Sequence, residues 1–239
     1  MLTSSLILAG ALVGSISASP LYRRQSSSQP NVIDLHWDGQ CFYTEADDGF
    51  DLDDYAGRWY QIAGSPGSYP SDCKCIYAEN SKNDDGTVRI FSSCERDGEE
   101  VTMEGTATKV AKDDDYGDEG VYRVQFPGQP EPECPGPNYV VTRFRGASDD
   151  GDDDGDGDGD EDDDGDEDDD SDDGDDDDDD DDRRKWAIVG SSNFTSFYVL
   201  SRSQNPSESN IDSWIQQAGR LGHDISGVVR FDQSDCSFT

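Results

Sequence analysis

The sequence predicts an all-β fold: an eight-stranded antiparallel up-and-down barrel, followed by one C-terminal α-helix and a short final strand. Three observations predict it. Short runs rich in β-branched and aromatic residues recur along the chain, with turn residues between them. Several runs are apolar on both faces, as in Tyr139-Val140-Val141 and Trp186-Ala187-Ile188-Val189, where a one-sided sheet would alternate. One stretch near the C-terminus has helical periodicity, with Ile211, Trp214, Ile215 and Ala218 on a single stripe. A closed barrel with a lined interior and a helix packed outside covers both faces of such strands. Eight strands leave room inside for one small ligand.

The elements follow in order. Residues 57–64 form the first strand, opened by Gly57-Arg58-Trp59, where only glycine lets the backbone approach its neighbours and a large ring needs burial. Residues 75–80 and 87–93 pair as a hairpin around Asn83-Asp84-Asp85-Gly86, whose Asp-Gly suits a tight turn. Residues 101–110, 120–126 and 138–144 supply the fourth to sixth strands; 186–189 and 196–201 supply the seventh and eighth. Ser207-Glu208-Ser209-Asn210 then offers N-cap candidates with an acidic first turn, and Gly219 or Gly222 stops the helix. Residues 226–231 form the last strand.

The termini and cysteines place the chain in a compartment. Residues 1–19 read as a secretory signal peptide, because the apolar run from Leu6 to Val13 is too short to span a bilayer and ends in small residues. Its n-region lacks Lys and Arg, so only the amino terminus supplies positive charge there. Residues 20–40 read as a flexible leader, with a dibasic site at Arg23-Arg24 after which processing is one alternative and an accidental pair the other. No further hydrophobic segment suggests a membrane span. Six cysteines in a secreted chain point to disulfides. Cys73-Lys74-Cys75 is not a zinc pattern, since one residue separates the thiols and no second pair matches. Asn193-Phe194-Thr195 is the one N-glycosylation sequon, because Asn205 precedes Pro206.

Residues 149–182 hold 25 Asp, two Glu, six Gly and one Ser. The whole chain carries −38; subtracting these 27 acidic residues leaves −11. With no apolar side chain to bury and like charges throughout, residues 148–182 are expected to be a disordered, Asp-rich loop insertion between strands six and seven. The barrel domain is therefore residues 41–147 and 183–239. Asp154, Asp156, Asp158 and Gly159 imitate the start of an EF-hand loop, but position 12 is Gly165 and not a bidentate Glu. Weak, diffuse binding of Ca²⁺ or of basic proteins is the expectation, with no specific metal site.

With these elements in place, the chain resembles the lipocalin family from about residue 41 to residue 236, outside the Asp tract. The nearest likeness is to the apolipoprotein D and bacterial outer-membrane lipocalin branch. Tyr55-Ala56-Gly57-Arg58-Trp59-Tyr60-Gln61-Ile62-Ala63 looks like its first motif, and Gly105-Thr106-Ala107-Thr108-Lys109-Val110 like its fourth-strand segment. Tyr198-Val199-Leu200-Ser201-Arg202 followed by Asn205-Pro206 is similar to its third motif. The resemblance implies a structural contact at the closed end of the barrel, with Arg202 packed over Trp59 beside Gly57. The second motif, a Thr-Asp-x-x-Tyr-like turn between strands six and seven, is missing where the Asp tract sits. The resemblance also implies that Cys75 bridges to Cys236 in the tail. The hairpin brings Cys94 near Cys73, which leaves Cys41 with Cys134.

No catalytic set is recognisable. The two histidines, His36 and His223, lie outside any motif, and no nucleophile elbow, His-Glu-x-x-His or phosphate loop occurs. So much negative charge repels nucleic acid. The reading is a secreted, monomeric, non-enzymatic carrier that binds a small hydrophobic ligand such as a fatty acid or sterol, without a cofactor. Val88, Ile90, Val124, Phe126, Tyr139 and Val141 are the candidate wall residues, and a one-residue register error would turn them all outward. The alternatives are a lipocalin-fold enzyme of the isomerase or de-epoxidase type, or an acidic extracellular cation-binding surface protein. Replacing residues 148–182 by an Asn-Gly turn should leave folding and ligand affinity nearly intact, since loop closure costs little. A tenfold loss of ligand affinity in a titration would place the tract in the binding apparatus.

Overall fold

The computed structural model describes residues 35–66, 72–110, 116, 119–146 and 185–238. The signal peptide over residues 1–19, the dibasic site and the Asp tract, including Asp154, Asp156 and Asp158, lie outside the described residues. A two-stranded ribbon comes first, β1 (Leu35–Trp37) with β2 (Phe42–Thr44), and then a single helical turn, α1 (Leu52–Tyr55). The barrel follows as β3 (Gly57–Gly64), β4 (Lys74–Lys82), β5 (Val88–Arg96), β6 (Glu99–Lys109), β7 (Val121–Gln125), β8 (Tyr139–Arg145), β9 (Trp186–Gly190) and β10 (Phe197–Ser201). Helix α2 (Glu208–Arg220) and a two-residue β11 (Val229–Arg230) end the chain. Each barrel strand pairs antiparallel with the next, and β10 returns to pair with β3, closing eight strands into a ring.

Local chemistry explains the turns. Between β4 and β5, Gly86 takes φ +83°, and Asp85 Oδ1 accepts from the Thr87 amide and hydroxyl. Asp97-Gly98 makes a second hairpin between β5 and β6, both residues at positive φ, a two-residue loop of the Asp-Gly type. Ser207 caps α2, accepting from the Asn210 amide. The helix passes through Gly219 and stops at Gly222, whose φ is +88°. The His223 amide donates to Ala218 O and the Gly222 amide to Gly219 O, the two bonds of a Schellman stop.

Two different covers account for the strands that are apolar on both faces. Helix α2 lays Ile211, Trp214, Ile215 and Ala218 over Ile62, Ile188, Phe197 and Val199 on the outer face of β3, β9 and β10. The outer face of β8 is instead covered by the chain entering from β2, where Ala46 packs on Val121 and Val140. The flexible leader expected over residues 20–40 differs from what is observed at its end, because Leu35–Trp37 is paired. Asp38 organises that ribbon, its Oδ1 accepting from the Gln40 and Cys41 amides and its Oδ2 from the Tyr43 hydroxyl. The final strand shrinks from residues 226–231 to Val229–Arg230, paired with β3.

Disulfides join Cys41 to Cys134, Cys73 to Cys94, and Cys75 to Cys236, with Cα separations of 5.9, 5.6 and 5.7 Å. The first ties the ribbon to the β7–β8 connection, and the last ties the C-terminal tail to the start of β4. Asn193 sits in the turn between β9 and β10 and clamps the ribbon there. Its Oδ1 accepts from the Phe42 amide, and its Nδ2 lies 3.3 and 3.4 Å from the Cys41 and Cys134 sulfurs.

His223, just past α2, is 4% exposed, and neither ring nitrogen has a hydrogen-bond partner. Its ring stacks on Phe197 and meets Phe194 edge-on, and burial pushes its imidazole down to about 4. An unfolded chain takes up that proton near pH 6.5. The stabilising contribution is therefore complete above that pH and is lost as pH falls from 6.5 toward 4. Between pH 7.5 and 5 this group should remove about 2 kcal/mol. Urea unfolding at both pH values measures the loss, and His223→Phe should reduce it by about that amount.

Candidate ligand cavity

One end of the barrel is closed by a packed knot. Trp59 is fully buried, and its Nε1 donates to Tyr55 O at 2.8 Å. The Arg202 guanidinium lies 4.0 Å from the Trp59 ring centroid, a cation–π stack. The same guanidinium donates to three carbonyls, Arg58 O through Nη1 and Asp54 O and Ala56 O through Nη2, each at 2.6 Å. Gly57 is required here for two reasons that differ from the strand contact expected of it. Its φ is +94°, and a Cβ there would sit 3.2 Å from Arg202 Nη1. Tyr55, Phe50 and Phe144 complete the plug.

Above the plug the strands part around a cavity of about 250 Å³. Its apolar wall is Ile90, Val124, Phe126, Met103 and Leu200, with Met103 40% exposed at the rim. Phe126 lies across β6 because Gly105 leaves room; a Cβ there would come within 2.7 Å of the ring. A separate, much smaller pocket of about 10 Å³ lies toward the plug, lined by Val88, Ala107 and Tyr122 and sharing Asn80, Ile90 and Tyr139 with the cavity. Of the six candidate wall residues, Ile90, Val124, Phe126 and Tyr139 line the main cavity and Val88 the smaller pocket. Val141 is fully buried in the same cluster without lining either space. A larger depression, about 570 Å³, lies between the Arg89–Glu104 ion pair and the 125–129 turn, open to solvent.

The polar lining carried no signal in the sequence pattern. Gln61, Asn80 and Ser92 face inward at positions where strand alternation predicts apolar residues, and each is less than a tenth exposed. Asn138 extends the β7–β8 ladder by one side chain, its Oδ1 accepting from the Val124 amide and its Nδ2 donating to Val124 O. The Tyr139 and Tyr55 hydroxyls share a bond of 2.6 Å. Burial pushes the Tyr122 phenol up to about 12, so it stays protonated across physiological pH. The Gln61 Nε2 and the Tyr122 hydroxyl are buried without a partner.

Residues 50–149 match the family model described as Lipocalin-like domain. Over those residues the chain is similar to the lipocalin-like domain. Among curated relatives, temperature-induced lipocalin-1 of Arabidopsis thaliana is 23% identical over 188 residues, covering 78% of this chain and 81% of that protein. Apolipoprotein D of Cavia porcellus is 37% identical over 71 residues, 29% of this chain and 37% of that one. Of solved structures, insecticyanin from the tobacco hornworm Manduca sexta aligns with TM-score 0.48 and 19% identity over 81% of this chain and 85% of that one. Lobster apocrustacyanin A1 aligns with TM-score 0.46 and 15% identity, over 77% and 81%. Among the described residues, no helix is long and apolar enough to cross a membrane.

The plug gives a direct test. Arg202→Lys keeps the charge but loses the flat stack and leaves carbonyls at the end of α1 without partners. Urea unfolding should register a loss of about 2–3 kcal/mol. A variant within 0.5 kcal/mol of the parent, the range of an ordinary surface change, would show the stack to be incidental.

Proposed function

We propose that this chain is a secreted carrier that holds one small hydrophobic molecule in the barrel cavity. The cavity above Trp59, walled by Ile90, Val124, Phe126, Met103 and Leu200, is the observation that carries this reading. An apolar ligand entering it leaves water for a space the barrel already holds open, and a few polar groups set its orientation. At about 250 Å³ the space lies at the small end of ligand pockets, which favours a short acyl chain or a compact ring system over a sterol. Three disulfides and the leader-like residues 1–19 support secretion. All six cysteines are bridged, so the chemistry of a pocket thiol has no support. Weak uptake of Ca²⁺ or basic proteins by the Asp tract is a separate property, independent of the barrel.

Filling the cavity tests the carrier reading. Ala78 lines the cavity and is only half-buried, so Ala78→Phe should occupy the space without straining the wall. A fluorescent hydrophobic probe should bind the variant at least tenfold more weakly, with the thermal midpoint of unfolding moved by a few degrees at most. Equal binding by a folded variant would place the ligand elsewhere.

A further inference from the structure

Strand β7 ends early, and the turn that follows explains why. Phe126-Pro127-Gly128-Gln129 is a tight turn, closed by the Gln129 amide donating to Phe126 O at 3.2 Å. Pro127 has no amide hydrogen to continue the ladder, and Gly128 takes φ +81°, the residue pair that suits a type II turn. Strand β6 pairs with β5 from Glu99 to Ala107, but with β7 only from Thr106 to Lys109. Residues 99–105 therefore edge a notch in the barrel wall, with no strand on that side among the described residues.

Phe126 stands in this notch. Its ring lies where a Gly105 side chain would be, 2.7 Å from a Cβ placed there. The ring lines the barrel cavity of about 250 Å³ and also the outer depression of about 570 Å³, and Gln129 lines both as well. The two spaces differ in character. Inside, the wall beside Phe126 is apolar, with Ile90, Met103 and Val124. Outside, the depression is lined by the Arg89–Glu104 ion pair, Asn83, Thr106, Gln125 and Gln129. Apolar and hydrogen-bonding surfaces thus meet across one half-buried ring.

We infer that the notch beside Phe126 joins the cavity and the depression into one ligand site. The ligand that fits it is a single-chain amphiphile, with its tail in the barrel and its polar head in the outer depression. This rests on the carrier reading above and adds the class of molecule carried. A head drawn inside would give up water for a largely apolar wall, whereas in the depression it stays hydrated beside polar side chains. The tail gains by leaving water for the cavity. The threshold is a single ring resting on a glycine. Turning that ring joins the two spaces without breaking a strand pairing, because β6 has no β7 partner at Gly105.

The test uses the full chain and two probes, the compact dye 1-aminoanthracene and the amphiphile 1-decanoyl lysophosphatidylcholine, titrated calorimetrically at neutral pH. Thr106→Trp fills the depression from an exposed strand position that does not line the cavity. It should weaken the amphiphile at least tenfold and leave the dye within twofold, which also shows the variant to be folded. Gln125→Trp, at the facing position on β7, should do the same. An amphiphile bound equally by the parent and either variant, or an equal loss of both probes, would overturn the inference. A parent chain that binds the dye and not the amphiphile would also overturn it, and leave the carrier reading standing. Failure of both probes to bind the parent would overturn the carrier reading, and the inference with it.

Discussion

The barrel closes on one contact, the guanidinium of Arg202 lying flat on the indole of Trp59. A barrel must have its first and last strands pair, and here that seam is short and irregular, with a register shift between Val199 and Leu200. Arg202 follows β10 directly, while Trp59 stands on β3, so their stack locks the two strands where the ladder ends. The same guanidinium satisfies carbonyls at the end of α1 and the start of β3, which fixes the chain's path into the barrel. Charge-assisted bonds of this kind are stronger than neutral ones, and the planar fork of arginine matches three acceptors at once. Removing either partner loosens the seam, the plug and the cavity floor together.

The architecture was legible because barrel physics writes it into local pattern. Turn residues bounded the strands, and runs apolar on both faces, such as Trp186–Val189, demanded two covers. The identity of the second cover was not legible. Ala46 protects β8 only because the segment after the ribbon crosses the wall, and one small alanine carries no signal of that. The ribbon itself escaped notice for a similar reason: three-residue strands rest on Asp38 and a disulfide more than on propensity. Helix α1 is a single turn set by the Asp51 cap, below the length at which periodicity can be seen.

The cavity divides in the same way. Its apolar residues follow strand alternation, and four of the six proposed from the sequence line the main space. Its polar residues break that alternation, so a reading built on hydrophobic parity passes over them. Gln61 sits beside the motif tryptophan and reads as ordinary strand, yet its side chain ends buried and unbonded. Positions where a sequence disobeys the pattern of its own fold are where function or strain is expected to lie. Asn138 shows that the inference needs the structure as well, because its equally irregular amide is wholly spent on Val124.

Arg145 and Trp186 are direct partners across the β8–β9 ladder, and Trp186 is in turn paired with Ser201, which faces Tyr60 beside the plug. The two ends of the β8–β9 connection thus stand on adjacent rungs at the sealed end of the vessel. Such a doorway is indifferent to its cargo: a tether, a reporter domain or a cell-binding segment could be spliced there, with its two ends already held a strand's width apart. The rim of the cavity, formed by other connections at the far end, would be left unobstructed.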